Sequence, residues 1–398
     1  MKNAIADRIS LIHPSAIRSV QKKIMAKEGV ISFAAGLPAA DLFPVEDFHK
    51  ATNKVFENEG HKAMQYGMSQ GYMPLIQELV KRMELKQHIK SDPSEVVIST
   101  GSQQGLFLAG MALLNEGDTA VAENPSYLGA FNAFRGFGAK FCGVDVDDEG
   151  MDLAQLKENL DNDKSIKLIY VIPNYQNPTG KSWSMQRRKD FMALVANYPI
   201  YVVEDDPYGE LCFDNNPQMP LKSMDTKGQV IYLGSFSKIL SPGLRVAWIC
   251  SNNDIAQKME LLKQSIDLQS SEFTQHQVYS LLNVINIDDH IAKVSKVYGD
   301  KCKLLLDKLA EINVKGLKYS KPTGGMFVWL ELPDYMNSSE LIDAAIDAGV
   351  AYIPGQYFFV DENVTNTIRL NFTTVSEEQI VKGAKILKDF LESIEENK

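Results

Sequence analysis

Residues 230–238 read VIYLGSFSK, an apolar run that ends in two serines and a lysine. The run has no polar alternation, which is typical of a strand that is buried on both faces of a parallel sheet. Lys238 follows this strand directly, where burial would lower the pKa of its amine and make it a nucleophile for carbonyl groups. The stretch therefore predicts an α/β sheet with a reactive lysine at a strand end, and a structural lysine at the strand edge is the alternative.

Groups that suit a phosphate surround this lysine. Ser235 and Ser237 precede it, and Arg245 follows seven residues later. Hydroxyl and guanidinium groups make charge-assisted hydrogen bonds to phosphate oxygens. Pyridoxal 5'-phosphate (PLP) needs an amine for its aldehyde and an anchor for its phosphate, so the segment predicts a PLP site.

Composition excludes several classes of function. The 398 residues include 41 basic and 51 acidic side chains, a net charge of −10 that argues against general binding to nucleic acid or anionic membranes. No apolar run approaches the roughly 20 residues of a membrane span, and the polar N-terminus does not resemble a signal peptide. Four scattered cysteines indicate reduced core residues, and six unclustered histidines indicate no metal site. We expect a cytoplasmic protein.

The first part of the chain alternates short apolar runs with helical patterns, which favours a mainly parallel sheet covered by helices. Strands are predicted at residues 96–100, 119–123, 140–146, 167–173, 200–205, 230–235 and 246–251. Helices are predicted at residues 102–114, 184–197 and 253–268. These elements predict a large domain with a seven-stranded sheet over residues 45–280.

The second part of the chain has a different pattern. A long helical segment at about 275–309 leads to strands at 325–332, 350–353 and 367–372, with helices at 338–348 and 376–395. Runs of this kind predict a smaller α+β domain. We expect it to comprise residues 281–398 together with the N-terminal residues 1–44.

Polar side chains follow the predicted strands, and ligands of open α/β sheets bind at the carboxyl ends of strands. Ser102 and Gln103 begin a helix after the strand at 96–100, where free amides favour a phosphate, although an ordinary serine N-cap is the alternative. The sequence NYQNPTG at 174–180 follows the strand at 167–173. A plain turn explains its proline and glycine, but explains Asn177 less well.

Asp205 ends the strand at 200–205. A carboxylate at a buried strand end is costly without a cationic partner, and a pyridinium N–H would supply one. A helix N-cap is the alternative. Asp205 therefore becomes a candidate for the group that keeps the cofactor ring protonated.

These motifs resemble those of class I/II aminotransferases of PLP fold type I. The resemblance rests on NPTG at 177–180, Asp205 with Tyr208 three residues later, and SFSK at 235–238 with Arg245. It is closest to the subgroup of 2-aminoadipate and kynurenine aminotransferases, which shows SFAAGLP (32–38), QYG (65–67) and IRLNF (368–372). The resemblance covers nearly the whole chain.

The resemblance implies a role for each matching residue in cofactor binding. Lys238 would form a Schiff base with PLP and later move the proton, and Asp205 would pair with the pyridine nitrogen. Asn177 and Tyr208 would bond the 3'-oxygen of the ring. Tyr127 would stack on the ring, or else be a core aromatic. The phosphate would be held by Ser102, Gln103, Ser235, Ser237 and Arg245.

The resemblance also implies the substrate contacts and a partner. Arg369 would bind the substrate α-carboxylate, with a structural ion pair as the alternative, and Asn177 and Gly36 would contribute to the same site. Arg18 would meet acidic substrate side chains, or else be a solvated helix charge. Tyr66 would reach the phosphate of a neighbouring subunit, which implies a homodimer with shared active sites.

The predicted reaction moves the amino group of an L-amino acid to a 2-oxo acid such as 2-oxoglutarate. The expected donors are 2-aminoadipate and aromatic or branched-chain amino acids. Because fold does not decide reaction type, a PLP-dependent lyase or synthase on this fold stays an alternative. A MocR-type effector-sensing domain is less favoured. In such a regulator we expect a winged helix-turn-helix arm ahead of the aminotransferase-like part, whereas residues 33–38 of this sequence already match the aminotransferase pattern.

Overall fold

The computed structural model describes residues 5–12, 16–214 and 216–396. Within these ranges, no helix has the length and apolar character that crossing a membrane requires. The same ranges contain no group of three His, Cys, Asp or Glu side chains that could hold a metal ion. The cysteines are free thiols, and all but Cys142 are buried.

Helices and short strands alternate along most of the described chain. The α-helices are α1 (Ala16–Met25), α2 (Val45–Ala63), α3 (Met73–Gln87), α4 (Ser102–Leu113), α5 (Leu128–Arg135), α6 (Leu153–Asn162), α7 (Met185–Val195), α8 (Asn253–Ile266), α9 (Glu272–Leu282), α10 (Ile287–Leu309), α11 (Ser338–Ala348) and α12 (Glu377–Glu396). The strands are β1 (Ile31–Ser32), β2 (Val96–Ser99), β3 (Thr119–Asn124), β4 (Lys140–Asp145), β5 (Ile166–Val171), β6 (Tyr201–Asp205), β7 (Val230–Ser235), β8 (Ala247–Cys250), β9 (Lys318–Tyr319), β10 (Phe327–Glu331), β11 (Val350–Ala351), β12 (Ile353–Pro354) and β13 (Thr367–Asn371).

The largest sheet has seven strands in the order β2-β8-β7-β6-β5-β3-β4. All neighbouring pairs are parallel except the two that involve β8. The seven strands predicted from the sequence are all present, within two residues at each end. The predicted α/β class with a mainly parallel seven-stranded sheet is therefore confirmed.

Helices cover both faces of this sheet, which explains why its strands are apolar without alternation. Successive residues still point to opposite faces, so Tyr170 and Val203 belong to one apolar cluster while Ile169 and Val202 belong to another. All six residues of β7 are buried. The strand that leads to Lys238 thus lies in the middle of the core.

Two smaller sheets complete the fold. An antiparallel sheet has the order β12-β13-β10-β9, and β1 pairs in parallel with β11. The second pairing attaches the N-terminal segment to the C-terminal part of the chain. The predicted domain limits near residues 45 and 280 stay a prediction.

Local signals in the sequence set the limits of α11, which leads into the smaller sheets. The side chain of Asn337 accepts hydrogen bonds from the amides of Ser339 and Glu340 and caps the first turn. Gly349 ends the helix in the left-handed conformation with φ 106°, which glycine adopts at little cost. This helix agrees with the prediction.

The prediction of one long helix over residues 275–309 is wrong. Two helices, α9 and α10, occupy this region, and residues 283–286 separate them. The side chain of Asn286 accepts a hydrogen bond from the amide of Asp288 and caps α10. Val284 and Ile285 pack against the core within the break, so the apolar pattern continues through it and conceals it.

Residues 350–353, predicted as one strand, form parts of two strands in different sheets. β11 pairs with β1, whereas β12 pairs with β13. Tyr352 lies between them, is fully buried, and donates a hydrogen bond to the carbonyl of Ser338 at 2.9 Å. Because every residue of the run is buried, its composition contains no sign of the change of partner.

Candidate active site

A cavity of about 280 Å³ lies at the carboxyl ends of β5, β6 and β7, beside the start of α4. This is the expected place for a ligand in an open α/β sheet. Most of the predicted site residues line it: Gly36, Ser102, Gln103, Tyr127, Asn177, Asp205, Tyr208, Ser237, Lys238, Arg245 and Arg369. The fold thus brings together residues that are up to 333 positions apart in the sequence.

Lys238 presents its amine to this cavity just beyond the end of β7. Its Nζ donates a hydrogen bond to the carbonyl of Gly36 at 3.0 Å. Burial, together with the nearby positive charges of Arg369 and Arg245, lowers the pKa of Lys238 to about 8. The amine is therefore neutral in an appreciable fraction of molecules near neutral pH, as a nucleophile or a base requires.

Asp205 ends β6 at the wall of the cavity and is buried. Its Oδ2 accepts a hydrogen bond from the hydroxyl of Tyr170 at 2.9 Å, while its Oδ1 has no partner among the described residues. Burial raises the pKa of Asp205 to about 7, and the Tyr170 hydrogen bond opposes that rise. A buried carboxylate oxygen without a partner is costly, so it fits a cationic donor from a ligand.

The start of α4 and Arg245 form one end of the cavity. The Arg245 guanidinium donates to the carbonyls of Pro242 and Thr100, at 3.3 Å and 3.2 Å. Gly101 precedes α4 with φ 82°, and a Cβ atom there would lie 2.1 Å from Nη2 of Arg245. Gly101 has no side chain to cap α4, so the amides of the first turn and the guanidinium can serve one anion.

The predicted phosphate ligands occupy different positions at this end. Ser102 and Ser237 line the cavity, whereas Ser235 does not. The Ser235 hydroxyl instead accepts a hydrogen bond from the amide of Ser237 at 3.0 Å. Gln103 also lines the cavity, and its side chain donates to the carbonyl of Gly129. Ser235 therefore orients the loop and keeps its hydroxyl proton for a further acceptor, while the other side chains face the space that an anion would fill.

The loop after β5 holds Asn177 by hydrogen bonds of its neighbours. The Gln176 side chain donates to the carbonyl of Pro125 and accepts from the hydroxyl of Thr179. At Gly180, which has φ 68°, a Cβ atom would lie 2.3 Å from the carbonyl oxygen of Phe327. The glycine is needed because the loop touches β10, and this contact fixes where Asn177 points.

Arg369 on β13 is completely buried. Its Nη1 donates to Oδ1 of Asn177 at 2.9 Å and its Nη2 to the carbonyl of Ala34 at 3.2 Å. The guanidinium lies 4.4 Å from the ring centroid of Phe327, and burial lowers the pKa of Arg369 to about 10. It forms no salt bridge with the described residues, so an incoming carboxylate would compensate its charge.

Two tyrosines contribute aromatic surface to the cavity. Burial raises the pKa values of Tyr127 and Tyr208, so both phenols stay protonated at neutral pH. The ring of Tyr208 contacts Phe327 edge-on, with centroids 5.8 Å apart. An aromatic ring that enters the cavity would meet the ring of Tyr127 and the hydroxyl of Tyr208.

Tyr66 and Arg18 do not line the cavity of their own chain. Tyr66 is 77% exposed and lies beside a separate surface groove. Arg18 is exposed on α1, whereas Gln21, three residues later on the same helix, lines the cavity. Gln21 was not predicted, because an uncharged polar residue on an amphipathic helix gives no sequence signal of a binding role.

Sequence reasoning also missed residues that support the site. Gly101 could have been found from its place between a strand and a helix, where glycine often permits a positive φ. No local pattern marked Tyr170 or Arg188 as a site residue. Tyr170 lies within the apolar strand β5, and Arg188 lies within α7, where charged and apolar residues are mixed. Arg188 is fully buried and donates to the carbonyls of Trp183, Pro173 and Met219, which fixes the chain ahead of Asn177.

The geometry of the cavity fits PLP. The amine of Lys238 suits its aldehyde, and Oδ1 of Asp205 suits a protonated ring nitrogen. The arginine and amides at the start of α4 suit its phosphate. Arg369 is left for a carboxylate that is not part of the cofactor.

The comparison with known proteins agrees with this geometry. The family model described as aminotransferase class I and II matches residues 28–387, and the chain belongs to that family. Aromatic-amino-acid aminotransferase 1 of Thermococcus litoralis is 40% identical over 379 residues, which are 94% of this chain and 91% of the relative. The protein is therefore a PLP-dependent aminotransferase.

Two solved structures are similar in fold and in sequence. Kynurenine aminotransferase of Pyrococcus horikoshii, in complex with PMP, has a TM-score of 0.94 and 37% identity, and covers 99% of this chain and 98% of its own. The alpha-aminoadipate aminotransferase of Thermus thermophilus, complexed with N-(5'-phosphopyridoxyl)-L-leucine, has a TM-score of 0.91, 37% identity and the same coverage. The expected family, subgroup and PLP fold type I are confirmed.

Proposed function

We propose that this aminotransferase moves the amino group of an L-amino acid to 2-oxoglutarate or a similar 2-oxo acid, with Lys238 as its catalytic base. The observation that carries this proposal is that the side chains of Lys238 and Arg369 line one cavity, where one amine can act as a base and one guanidinium can bind a carboxylate. Lys238 has a lowered pKa and a reactive amine, while Arg369 is a fully buried guanidinium that forms no salt bridge within the described ranges.

The residues divide the work of binding the cofactor. PLP, when bound, supplies an electron sink for the α-carbon of the substrate. Oδ1 of Asp205 would accept the N–H of the ring nitrogen. Asn177 and Tyr208 would bond the 3'-oxygen, and Tyr127 would cover the ring face. The phosphate would be held by the first amides of α4 and by the predicted ligands Arg245, Ser102, Gln103, Ser235 and Ser237.

Lys238 then moves the proton. Its Nζ would take the proton from the α-carbon of the substrate, hold it and later release it. The same amine can do both because it is fixed between the carbonyl of Gly36 and the cavity. Its lowered pKa leaves the neutral base available near physiological pH.

Arg369 binds the α-carboxylate that every amino acid and every 2-oxo acid carries. The planar guanidinium forms two parallel hydrogen bonds with a carboxylate. Its contacts with Asn177 and Ala34 hold it in place before the substrate arrives, so little side-chain entropy is lost on binding. Gly36 lies beside it, and an added Cβ atom there would be 3.6 Å from Nη2, an ordinary contact distance.

The substrate side chain would extend toward Gln21 on α1 and Leu37 in the segment after β1, which both line the cavity. Both are uncharged, which suits aromatic and branched side chains. Arg18, one turn from Gln21 on α1, would meet the distal carboxylate of 2-aminoadipate. The names of the similar proteins include aromatic amino acids, kynurenine and alpha-aminoadipate, which supports a broad set of donors.

We further propose a homodimer in which Tyr66 completes the site of its partner. Tyr66 lies in an exposed apolar surface with Phe56, Met64 and Met68, which are 53%, 76% and 71% exposed. A groove of about 610 Å³ runs between Phe56, Tyr66 and Phe273. Exposed apolar patches of this kind mark interaction sites, and a second copy of the chain would cover this one.

A donor panel tests the proposed reaction. The purified protein is incubated with 2-oxoglutarate and, in turn, 2-aminoadipate, kynurenine, phenylalanine and leucine. We expect glutamate to form in equal amount to the 2-oxo product. Release of ammonia or pyruvate without glutamate would instead support a lyase, and Lys238→Ala beside the exposed-lysine control Lys189→Ala ties the activity to the proposed base.

A further inference from the structure

Tyr170 is bound to Asp205 across two adjacent strands. Tyr170 on β5 is opposite Val203 on β6, so Asp205, two residues further along β6, lies diagonal to Tyr170 on the same face of the sheet. The hydroxyl of Tyr170 donates to Oδ2 of Asp205 at 2.9 Å. The register of two buried strands thus sets this hydrogen bond.

The hydrogen bond makes the two oxygens of Asp205 different. Oδ2 is occupied by the phenol, whereas Oδ1 is buried and has no partner in the described parts of the chain. A carboxylate held at one oxygen loses the freedom to turn about its last torsion angle. Tyr170 therefore determines which oxygen is left for a donor in the cavity.

The phenol also affects the charge of Asp205. Burial and the neighbouring Asp206 raise the pKa of Asp205, and the hydrogen bond from Tyr170 is the largest influence that lowers it. Burial and the nearby Asp205 raise the pKa of Tyr170 well above its usual value, so the phenol stays a donor at every physiological pH. The hydrogen bond therefore shifts Asp205 toward its ionised form, while the proton of the phenol stays on Tyr170.

We propose that Tyr170 is a positioning residue that orients Asp205 and keeps it ionised, so that Oδ1 can accept the N–H of the cofactor ring. This inference rests on the proposed role of Asp205 in binding that nitrogen. Tyr170 itself is 1% exposed, and its ring contacts Phe134 edge-on with centroids 6.1 Å apart. The donor is therefore fixed before the cofactor binds.

The chain offers a matched control on the neighbouring strand. Tyr232 on β7 is also fully buried, and its hydroxyl donates to Oδ2 of Asp206 at 3.0 Å. Asp206 does not line the cavity that contains Asp205. Tyr232→Phe thus removes the same chemical group from the same sheet, but leaves Asp205 with its donor.

The experiment compares the affinity of the full chain for PLP and for an analogue whose ring nitrogen is replaced by carbon. After removal of the cofactor, each variant is titrated with both compounds, and its unfolding midpoint is recorded. We expect Tyr170→Phe to reduce the preference for PLP over the analogue by about tenfold, the effect of one hydrogen bond to a charged group. Tyr232→Phe is expected to keep the wild-type preference.

A second measurement does not depend on affinity. In the enzyme loaded with PLP labelled with nitrogen-15 in its ring, the nitrogen chemical shift reports whether that nitrogen is protonated. We expect the shift of Tyr170→Phe to move toward the unprotonated value, and that of Tyr232→Phe to match the wild type. An unchanged shift in Tyr170→Phe, or equal loss of affinity for PLP and the analogue, would overturn the proposal.

Asp205→Asn separates this inference from the role on which it rests. If Asp205→Asn keeps the wild-type preference for PLP, the pairing of Asp205 with the ring nitrogen is wrong, and the role of Tyr170 is wrong with it. If Asp205→Asn abolishes the preference while Tyr170→Phe keeps it, Asp205 has the proposed role and Tyr170 does not position it.

Discussion

The guanidinium of Arg369 donates to the side-chain oxygen of Asn177 at 2.9 Å, across 192 positions of sequence. This hydrogen bond joins β13 of the smaller antiparallel sheet to the loop that follows β5 of the large sheet. The residue proposed to bind the substrate carboxylate is thereby held by a residue proposed to bind the cofactor. Binding of the substrate carboxylate and binding of the cofactor therefore both depend on the hydrogen bond between Arg369 and Asn177.

Replacement of Arg369 by lysine is expected to weaken all substrates alike. Lysine cannot form the bidentate pair, and every donor and acceptor carries the α-carboxylate. We therefore expect kcat/KM to fall for every substrate, by an amount that corresponds to a loss of about 2 kcal/mol or more of transition-state stabilisation. The measurement is kcat/KM for an acidic, an aromatic and a branched donor. Arg187→Lys, at a partly exposed ion pair with Asp147, is the control. Loss confined to one type of side chain would show that Arg369 reads the side chain instead.

Replacement of Gly101 by alanine is expected to weaken PLP through its phosphate. The new Cβ atom would overlap the Arg245 guanidinium, and φ 82° would cost the folded state about 1–3 kcal/mol. Gly117→Ala is a matched control, because Gly117 has φ 87° and no atom within 4 Å of an added Cβ.

Both variants should lower the unfolding free energy. Only Gly101→Ala should lose affinity for PLP, and it should keep its affinity for pyridoxal, which lacks the phosphate. Equal PLP affinity of the two variants would contradict the phosphate assignment.

The lowered pKa of Lys238 predicts a pH dependence of stability in the cofactor-free protein. Between about pH 8 and 10.5, the unfolded chain binds a proton on this lysine and the folded chain does not. The free energy of unfolding should therefore rise with pH across this window because of Lys238. Denaturant titrations should show a weaker rise in Lys238→Met than in the wild type, and no change in the exposed-lysine variant Lys189→Met. Identical pH profiles for Lys238→Met and the wild type would mean that the pKa is not lowered.

The proposed dimer predicts complementation between two defective chains. Tyr66→Phe and Lys238→Ala each damage every site of their own homodimer, but a mixed dimer contains one site with both native residues. Mixing the two variants should restore activity above that of either alone. A mixture of Lys238→Ala and Lys238→Met is the control and should stay inactive. An active monomer in ultracentrifugation would rule out the shared site.

The sequence predicted the large sheet well because each of its strands is a short apolar run bounded by polar turns. It predicted Lys238, Asp205 and Asn177 because unusual polar residues lie at the ends of those runs or within a few residues after them. Ser235 shows the limit of this reasoning. Its place in the motif marked it as a phosphate ligand, and this stays a prediction, because the hydroxyl accepts a hydrogen bond from the amide of Ser237 and does not line the cavity.

Other features depend on tertiary contacts that no local pattern encodes. The hydroxyl of Tyr170 reaches Asp205 only through the register of β5 and β6. The break between α9 and α10 was hidden because Val284 and Ile285 continue the apolar pattern. The change of partner at Tyr352 was hidden because both sheets bury the same apolar run.

The lysine that holds the cofactor can be identified directly. Borohydride reduction of the enzyme loaded with PLP fixes the covalent bond, and peptide mapping by mass spectrometry locates the pyridoxyl label. We expect the label on Lys238 alone, and no label in Lys238→Ala. A label on any other lysine would contradict this assignment.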